Sequence, residues 1–144
     1  MSNSSNLTTT TRARRVMVVD DDQSNLILAS EVVRMFGHEP IVWGSSAAAL
    51  EAIQSDHVDL IFMDVHMPGM SGLELTQQIR ALEHRQGRRR TPIVALTASA
   101  MPEERAECLA NGMDDVMTKP FQFAAIKAMI DRWCEPFHLA PDSK

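Results

Sequence analysis

The chain has 144 residues, 44% of them hydrophobic, and a formal net charge of −5 from 14 basic and 19 acidic side chains. That length suits one domain burying its own core without disulfides or structural metal, and the acid excess argues against a nucleic-acid-binding surface. Cys108 and Cys134 lack CxxC spacing, the polar start has no apolar signal segment, and no run approaches the roughly 18 apolar residues of a membrane span, so a reduced, soluble, cytoplasmic protein is expected.

Residues 1–13 are rich in Ser and Thr and too poor in apolar surface to offset ordering entropy, which predicts a disordered tail. Arg15 to Val19 then reads as a strand running into Asp20-Asp21-Asp22. A helix from Gln23 to Phe36 follows, with Leu28, Val32 and Phe36 on one face and Gly37 as its stop. Glu39 to Trp43 is a second strand, and Ser45-Ser46 caps an Ala-rich helix to about Ser55. Val58 to Met63 is a third strand, whose apolar run from Leu60 to Met63 stops at the single carboxylate of Asp64. After the turn residues Pro68 to Gly72, a helix carries Leu75, Ile79 and Leu82 to about His84. Arg88-Arg89-Arg90 reads as a solvated connection. Pro92 to Leu96 is a fourth strand, Pro102 opens a helix to Ala110, Asp114 to Thr118 is a fifth strand, and Phe123 to Trp133 closes a domain spanning 14–134. Residues 135–144 read as a tail.

Five strand–helix alternations imply a parallel sheet covered by helices on both faces, because parallel strands need helical crossovers. The carboxyl ends of such strands lie along one edge, where ligands bind. Here that edge collects Asp20, Asp21 and Asp22 from the first strand, Asp64 from the third, Thr97 from the fourth and Lys119 from the fifth. Three or four neighbouring acids repel one another unless a hard divalent cation bridges them, and Mg2+ suits a site with few protein ligands. A lysine and a hydroxyl beside such an ion fit a phosphoryl group, and a carboxylate can itself be the nucleophile. Asp64 is the candidate nucleophile, Asp20 and Asp21 the metal holders, and Asp22 an N-cap. The five histidines show no metal-ligand spacing, so His66 is read as an exposed side chain whose backbone does the work. The ten methionines read mainly as core filler, with Met113, Met117 and Met129 offering an alternative role as an adaptable partner surface.

Val18 to Asp22, Met63 to Gly72, Leu96-Thr97-Ala98 and Thr118-Lys119-Pro120-Phe121 together resemble the receiver domain of two-component response regulators, over roughly residues 14–134. The resemblance implies a flavodoxin-like (βα)5 fold of strand order 2-1-3-4-5. It implies that Asp64 accepts a phosphoryl group from a phosphohistidine and that Mg2+ is held by Asp21, Asp64 and the backbone carbonyl of His66, with Asp20 acting mainly through a metal-bound water. Lys119 would contact the phosphoryl oxygens and Thr97 would rotate to hydrogen-bond them, and the peptide at the place of Lys119–Pro120 is often cis in that family. The expected partner is a sensor histidine kinase or a histidine phosphotransfer protein, with no nucleic acid or membrane bound by this domain, as a monomer or a phosphorylation-dependent dimer. The domain would be a switch and not a turnover enzyme.

One departure concerns readout. The family commonly has an aromatic residue three positions before the lysine, and that position is Val116, which shifts the expected relay to Thr97 and residues 97–105. Two rival readings are the receiver segment of a hybrid sensor histidine kinase, which the runs His66 to Gly72 and Gly112 to Asp115 resemble, and an aspartyl-phosphate phosphohydrolase. The latter usually needs a second acid two residues after the nucleophile, where this chain has His66.

Overall fold

The computed structural model describes residues 13–134; the segments 1–12 and 135–144, where the tails are expected, lie outside the described residues. Five strands alternate with five helices: β1 (Arg15–Val19), α1 (Gln23–Met35), β2 (Glu39–Trp43), α2 (Ser46–Ser55), β3 (Leu60–Asp64), α3 (Gly72–Gln86), β4 (Ile93–Thr97), α4 (Pro102–Ala110), β5 (Asp115–Thr118) and α5 (Phe123–Cys134). All neighbouring strands pair in parallel, in the order β2-β1-β3-β4-β5. This is the expected flavodoxin-like sheet.

Side chains along a strand alternate between faces, so each central strand feeds two cores. Val16, Val18, Leu60, Phe62, Val94 and Leu96 pack on one face with α1 and α5, through Leu26, Ala29, Val32, Val33, Ile126 and Ile130. Met17, Val19, Ile61, Met63, Ile93 and Ala95 pack on the other with α2 and α3, through Ala49, Ile53, Leu75, Ile79 and Leu82. Every residue of β3 and β4 is buried, which explains why these strands read as unbroken apolar runs. The fourth helix is the exception: α4 buries Cys108 alone.

Several local expectations shift. The sheet-facing residues of α1 are Leu26, Ala29, Val32 and Val33, whereas Leu28 is 39% exposed beside an exposed Ile27. The i, i+4, i+8 series from Leu28 therefore picked a stripe rotated away from the sheet at its first member. The Arg88-Arg89-Arg90 run is not simply solvated. Arg88 donates to the carbonyls of Ile53 (2.7 Å) and Gln54 (2.8 Å), closing the C-terminal turn of α2, and Arg90 pairs with Asp114 at 2.9 Å. Asp114 falls just outside β5, and its Oδ2 accepts from the Ile93 amide (2.9 Å) and from Arg80 (2.8 Å). Met113 and Met117 are buried at 2% and 5% exposure, so they fill core and do not offer a partner surface.

Candidate functional site

Three parallel registers place two of the acids and the lysine. The Asp20 amide donates to the Trp43 carbonyl at 3.2 Å, which continues the β1–β2 ladder by one residue, and Asp64, the last residue of β3, stands opposite Leu96 of β4. Lys119 follows β5 directly and its amide donates to the Thr97 carbonyl at 2.8 Å. The loop beyond Asp64 is drawn tightly back. The Gly72 amide donates to the Val65 carbonyl (2.9 Å), and a Cβ at Gly72 would lie 2.1 Å from the Asp64 carbonyl oxygen. Only glycine permits α3 to begin against the end of β3. Ser71 caps that helix in a capping box with Glu74, whose charge suits the first helical turn.

Asp20 is fully buried, Asp64 is 3% exposed, and Asp21 is exposed. One carboxylate oxygen from each of the three lies within 4.8 Å of the other two. The Lys119 Nζ sits between the two buried acids, 3.2 Å from Asp20 Oδ2 and 3.3 Å from Asp64 Oδ1. Asp64 Oδ1 also accepts the His66 amide at 3.1 Å. Both of these contacts fall on the same oxygen, leaving Oδ2 as the open end of the carboxylate. Burial first, and then the neighbouring Asp20 charge, raise the Asp64 carboxyl to about 6 despite Lys119 and the His66 amide. For Lys119, burial alone would lower the pKa, but the charges of Asp20 and Asp64 outweigh it and raise the ammonium above its ordinary value.

A single ammonium facing two buried carboxylates leaves a net negative, oxygen-lined site. That donor set fits Mg2+, a hard cation that takes one or two carboxylates and keeps several waters. The three carboxylates expected for a metal site, Asp20, Asp21 and Asp64, are thus brought together, and His66, whose side chain is exposed, touches the site through its backbone amide on Asp64. Thr97 is buried at 5% exposure on the same edge; its Oγ1 accepts the Ser99 amide at 3.3 Å, which leaves the hydroxyl proton free to be donated elsewhere. Asp22 caps α1 by accepting the Ser24 amide at 2.9 Å, as expected. The Lys119–Pro120 peptide is cis. Val116 is buried among Met113 and Cys108.

Two residues escaped the sequence reading. Gly72 was placed in the turn without its close approach to Asp64, which only the β3–α3 junction reveals. Asn25, on the first turn of α1, donates from Nδ2 to Asp20 Oδ2 at 3.1 Å; the signal for it would have been an amide five residues after the acid, at the start of a helix.

Doubly wound sheets bind ligands outside the carboxyl ends of their strands, and these donors suit a divalent cation beside a phosphoryl group. The protein is therefore an α/β domain of the phosphoryl-binding kind. More narrowly, the response regulator receiver domain matches residues 16–131, and the chain belongs to that family. It is 40% identical over 110 residues to the sensor protein GacS of Pseudomonas syringae pv. syringae, a match covering 76% of this chain and 12% of GacS. The chain thus spans about one eighth of the length of that relative. Among solved structures it resembles the receiver domain of sensor histidine kinase PA1611 from Pseudomonas aeruginosa PAO1, which holds a magnesium ion in its active site cleft (TM-score 0.74, 30% identity, 84% of this chain and 97% of that one). It also resembles a chain in the Saccharomyces cerevisiae complex of the histidine phosphotransfer protein Ypd1 with the Ssk1 receiver domain (TM-score 0.81, 27% identity, 87% and 91% covered). Fold, family and acidic trio support a phosphoacceptor switch function. Among the described residues, no helix is long and apolar enough to cross a membrane.

Proposed function

We propose that Asp64 is the phosphoacceptor of a Mg2+-dependent signalling switch and that it takes its phosphoryl group from a phosphohistidine. The observation that carries this reading is the buried Asp64 carboxylate held by Lys119 on one oxygen and open on the other. Oδ2 forms the new P–O bond, the P–N bond of the phosphohistidine breaks, and its electron pair leaves with the imidazole nitrogen, which takes up a proton. The product is an acyl phosphate on Asp64.

Asp20, Asp21, Asp64 and the backbone carbonyl of His66 would hold Mg2+, which supplies charge neutralisation for the phosphoryl oxygens when bound. Lys119 moves its ammonium from the two carboxylates to the new phosphoryl oxygens, a short shift because it already touches Asp64. Thr97 donates its hydroxyl proton to the same group. Phosphorylation then biases an existing equilibrium. With Val116 in the usual aromatic place, the readout in this reading runs through Thr97 and residues 97–105 into α4, whose single buried residue makes it the least anchored helix. The domain modifies only itself and is a switch, not a turnover enzyme.

Incubation with acetyl phosphate and Mg2+, followed by intact mass measurement, tests the assignment. One phosphoryl adduct is expected on wild type and none on Asp64→Ala. An adduct that survives Asp64→Ala, or no adduct on folded wild type, refutes it.

The partner in this reading is a sensor histidine kinase or a histidine phosphotransfer protein, in the cytoplasm. The similarity to GacS and to the PA1611 receiver favours the context of a hybrid sensor kinase. A kinase core encoded in the same gene would support that context, and its absence would leave a separate regulator.

A further inference from the structure

We propose that Asn25 is a positioning residue for the acidic site: its side-chain amide fixes the Asp20 carboxylate and so sets the affinity for Mg2+. The inference rests on the reading of Asp20 as part of the metal site.

Asp20 is fully buried, and a buried carboxylate keeps its charge only if its oxygens are supplied with donors. Oδ1 accepts the Asp22 amide at 2.8 Å. Oδ2 has two donors, the Asn25 Nδ2 at 3.1 Å and the Lys119 Nζ at 3.2 Å. These two are not equivalent. Lys119 is a flexible chain shared with Asp64 at 3.3 Å, and its ammonium is the group that a phosphoryl ligand on Asp64 would draw away. Asn25 lies in the first turn of α1, anchored there by the neighbouring Asp22 cap and by the burial of Leu26. When Lys119 turns to another anion, Asn25 is the side-chain donor that remains on Oδ2.

The amide also differs from the ammonium in charge. A neutral donor satisfies Oδ2 without repelling a cation, whereas Lys119 competes with the cation for the same carboxylates. Asn25 thus holds Asp20 in one orientation throughout the cycle, in the way that hydrogen bonds to ligating carboxylates set the geometry of a metal site. Asn25 is half-buried and beside the exposed Ile27 and Leu28, so the donor to Asp20 sits at the edge of the outward face of α1.

The test compares wild type, Asn25→Ala and Asn25→Gln by calorimetric Mg2+ titration of the unphosphorylated full chain, with folding checked by circular dichroism in EDTA. Asn25→Ala is expected to raise the Mg2+ Kd about tenfold, and Asn25→Gln, which keeps the amide on a longer stem, to fall between it and wild type. The Mg2+ concentration giving half-maximal labelling by acetyl phosphate should rise in parallel, with a smaller fall in the rate at saturating Mg2+. A Kd within about twofold of wild type for the folded Ala variant overturns the inference, as does a Gln variant no better than Ala. Should Asn25→Ala fail to fold, Asn25→Leu, which keeps the volume but offers no donor, decides by the same titration, an unchanged Kd counting against the proposal. A wild-type protein that binds no Mg2+ would instead refute the reading of the metal site itself.

Discussion

Replacing Asp64 with Asn should make the metal-free protein more stable, although it removes the central residue of the site. Burial and then the Asp20 charge raise the Asp64 carboxyl from 3.8 to about 6. A carboxyl whose pKa is higher in the folded than in the unfolded chain binds more protons when folded. Its contribution to stability is therefore greatest at low pH, falls as pH rises from about 4 to about 6, and stays low above that window. Holding that carboxyl ionised in the folded chain costs on the order of 3 kcal/mol. Asn only approximates a protonated carboxyl, so a gain of about 1–3 kcal/mol is expected near pH 8 in EDTA. Mg2+ offsets most or all of this difference: wild type gains about 2.7 kcal/mol at a hundredfold excess over Kd, and the variant gains little. Urea unfolding followed by circular dichroism, with EDTA or Mg2+, at about pH 5 and about pH 8, reads all four corners. An Asp64→Asn variant no more stable than wild type in EDTA at the higher pH would refute the electrostatic account of the site. So would a wild-type stability that does not fall relative to the variant between the two pH values.

Gly72→Ala should cost about 2–4 kcal/mol and weaken Mg2+ binding, because the new Cβ, 2.1 Å from the Asp64 carbonyl oxygen, must push α3 away from β3; a thermal melt matching wild type would contradict that contact. Asp115 offers a second pH test. Burial would raise its pKa, but the Val116 amide, Arg132 and the Trp133 indole outweigh that and lower it. Its stabilisation is present above the unfolded pKa and lost as pH falls through the lowered folded value, so Asp115→Asn should cost about 2 kcal/mol at neutral pH, with the difference closing in acid below about pH 4. On α1, Leu26→Ala should cost about 2–4 kcal/mol and Leu28→Ala under about 1 kcal/mol in urea unfolding; equal losses would restore the stripe read from periodicity.

The sheet order and the edge that carries the chemistry were legible because each strand is a short apolar run ending at a polar residue, and parallel pairing aligns those ends. Asp20, Asp21, Asp64, Thr97 and Lys119 follow from that rule alone. What stayed hidden depends on rotation and on contacts across the chain. Leu28 obeys the helical period as well as Leu26 does, and only the docking of α1 on Val16 and Val18 decides which faces inward. Arg88 is a helix-closing donor because the fold brings it within reach of the carbonyls at the C-terminal end of α2. Asn25 reads as an ordinary helical amide until its reach to Asp20 is seen.

The sparse anchoring of α4 makes its opening measurable at a single side chain. Cys108 is the helix's one buried residue, at 4% exposure, and burial first, with Glu107 and Glu104 after it, pushes its thiol above the ordinary value. An alkylating reagent thus reaches this sulfur only when α4 lifts from β5. The rate of modification at Cys108, read by peptide mass mapping, then counts openings of the helix, and phosphorylation of the domain should change that count if α4 carries the message.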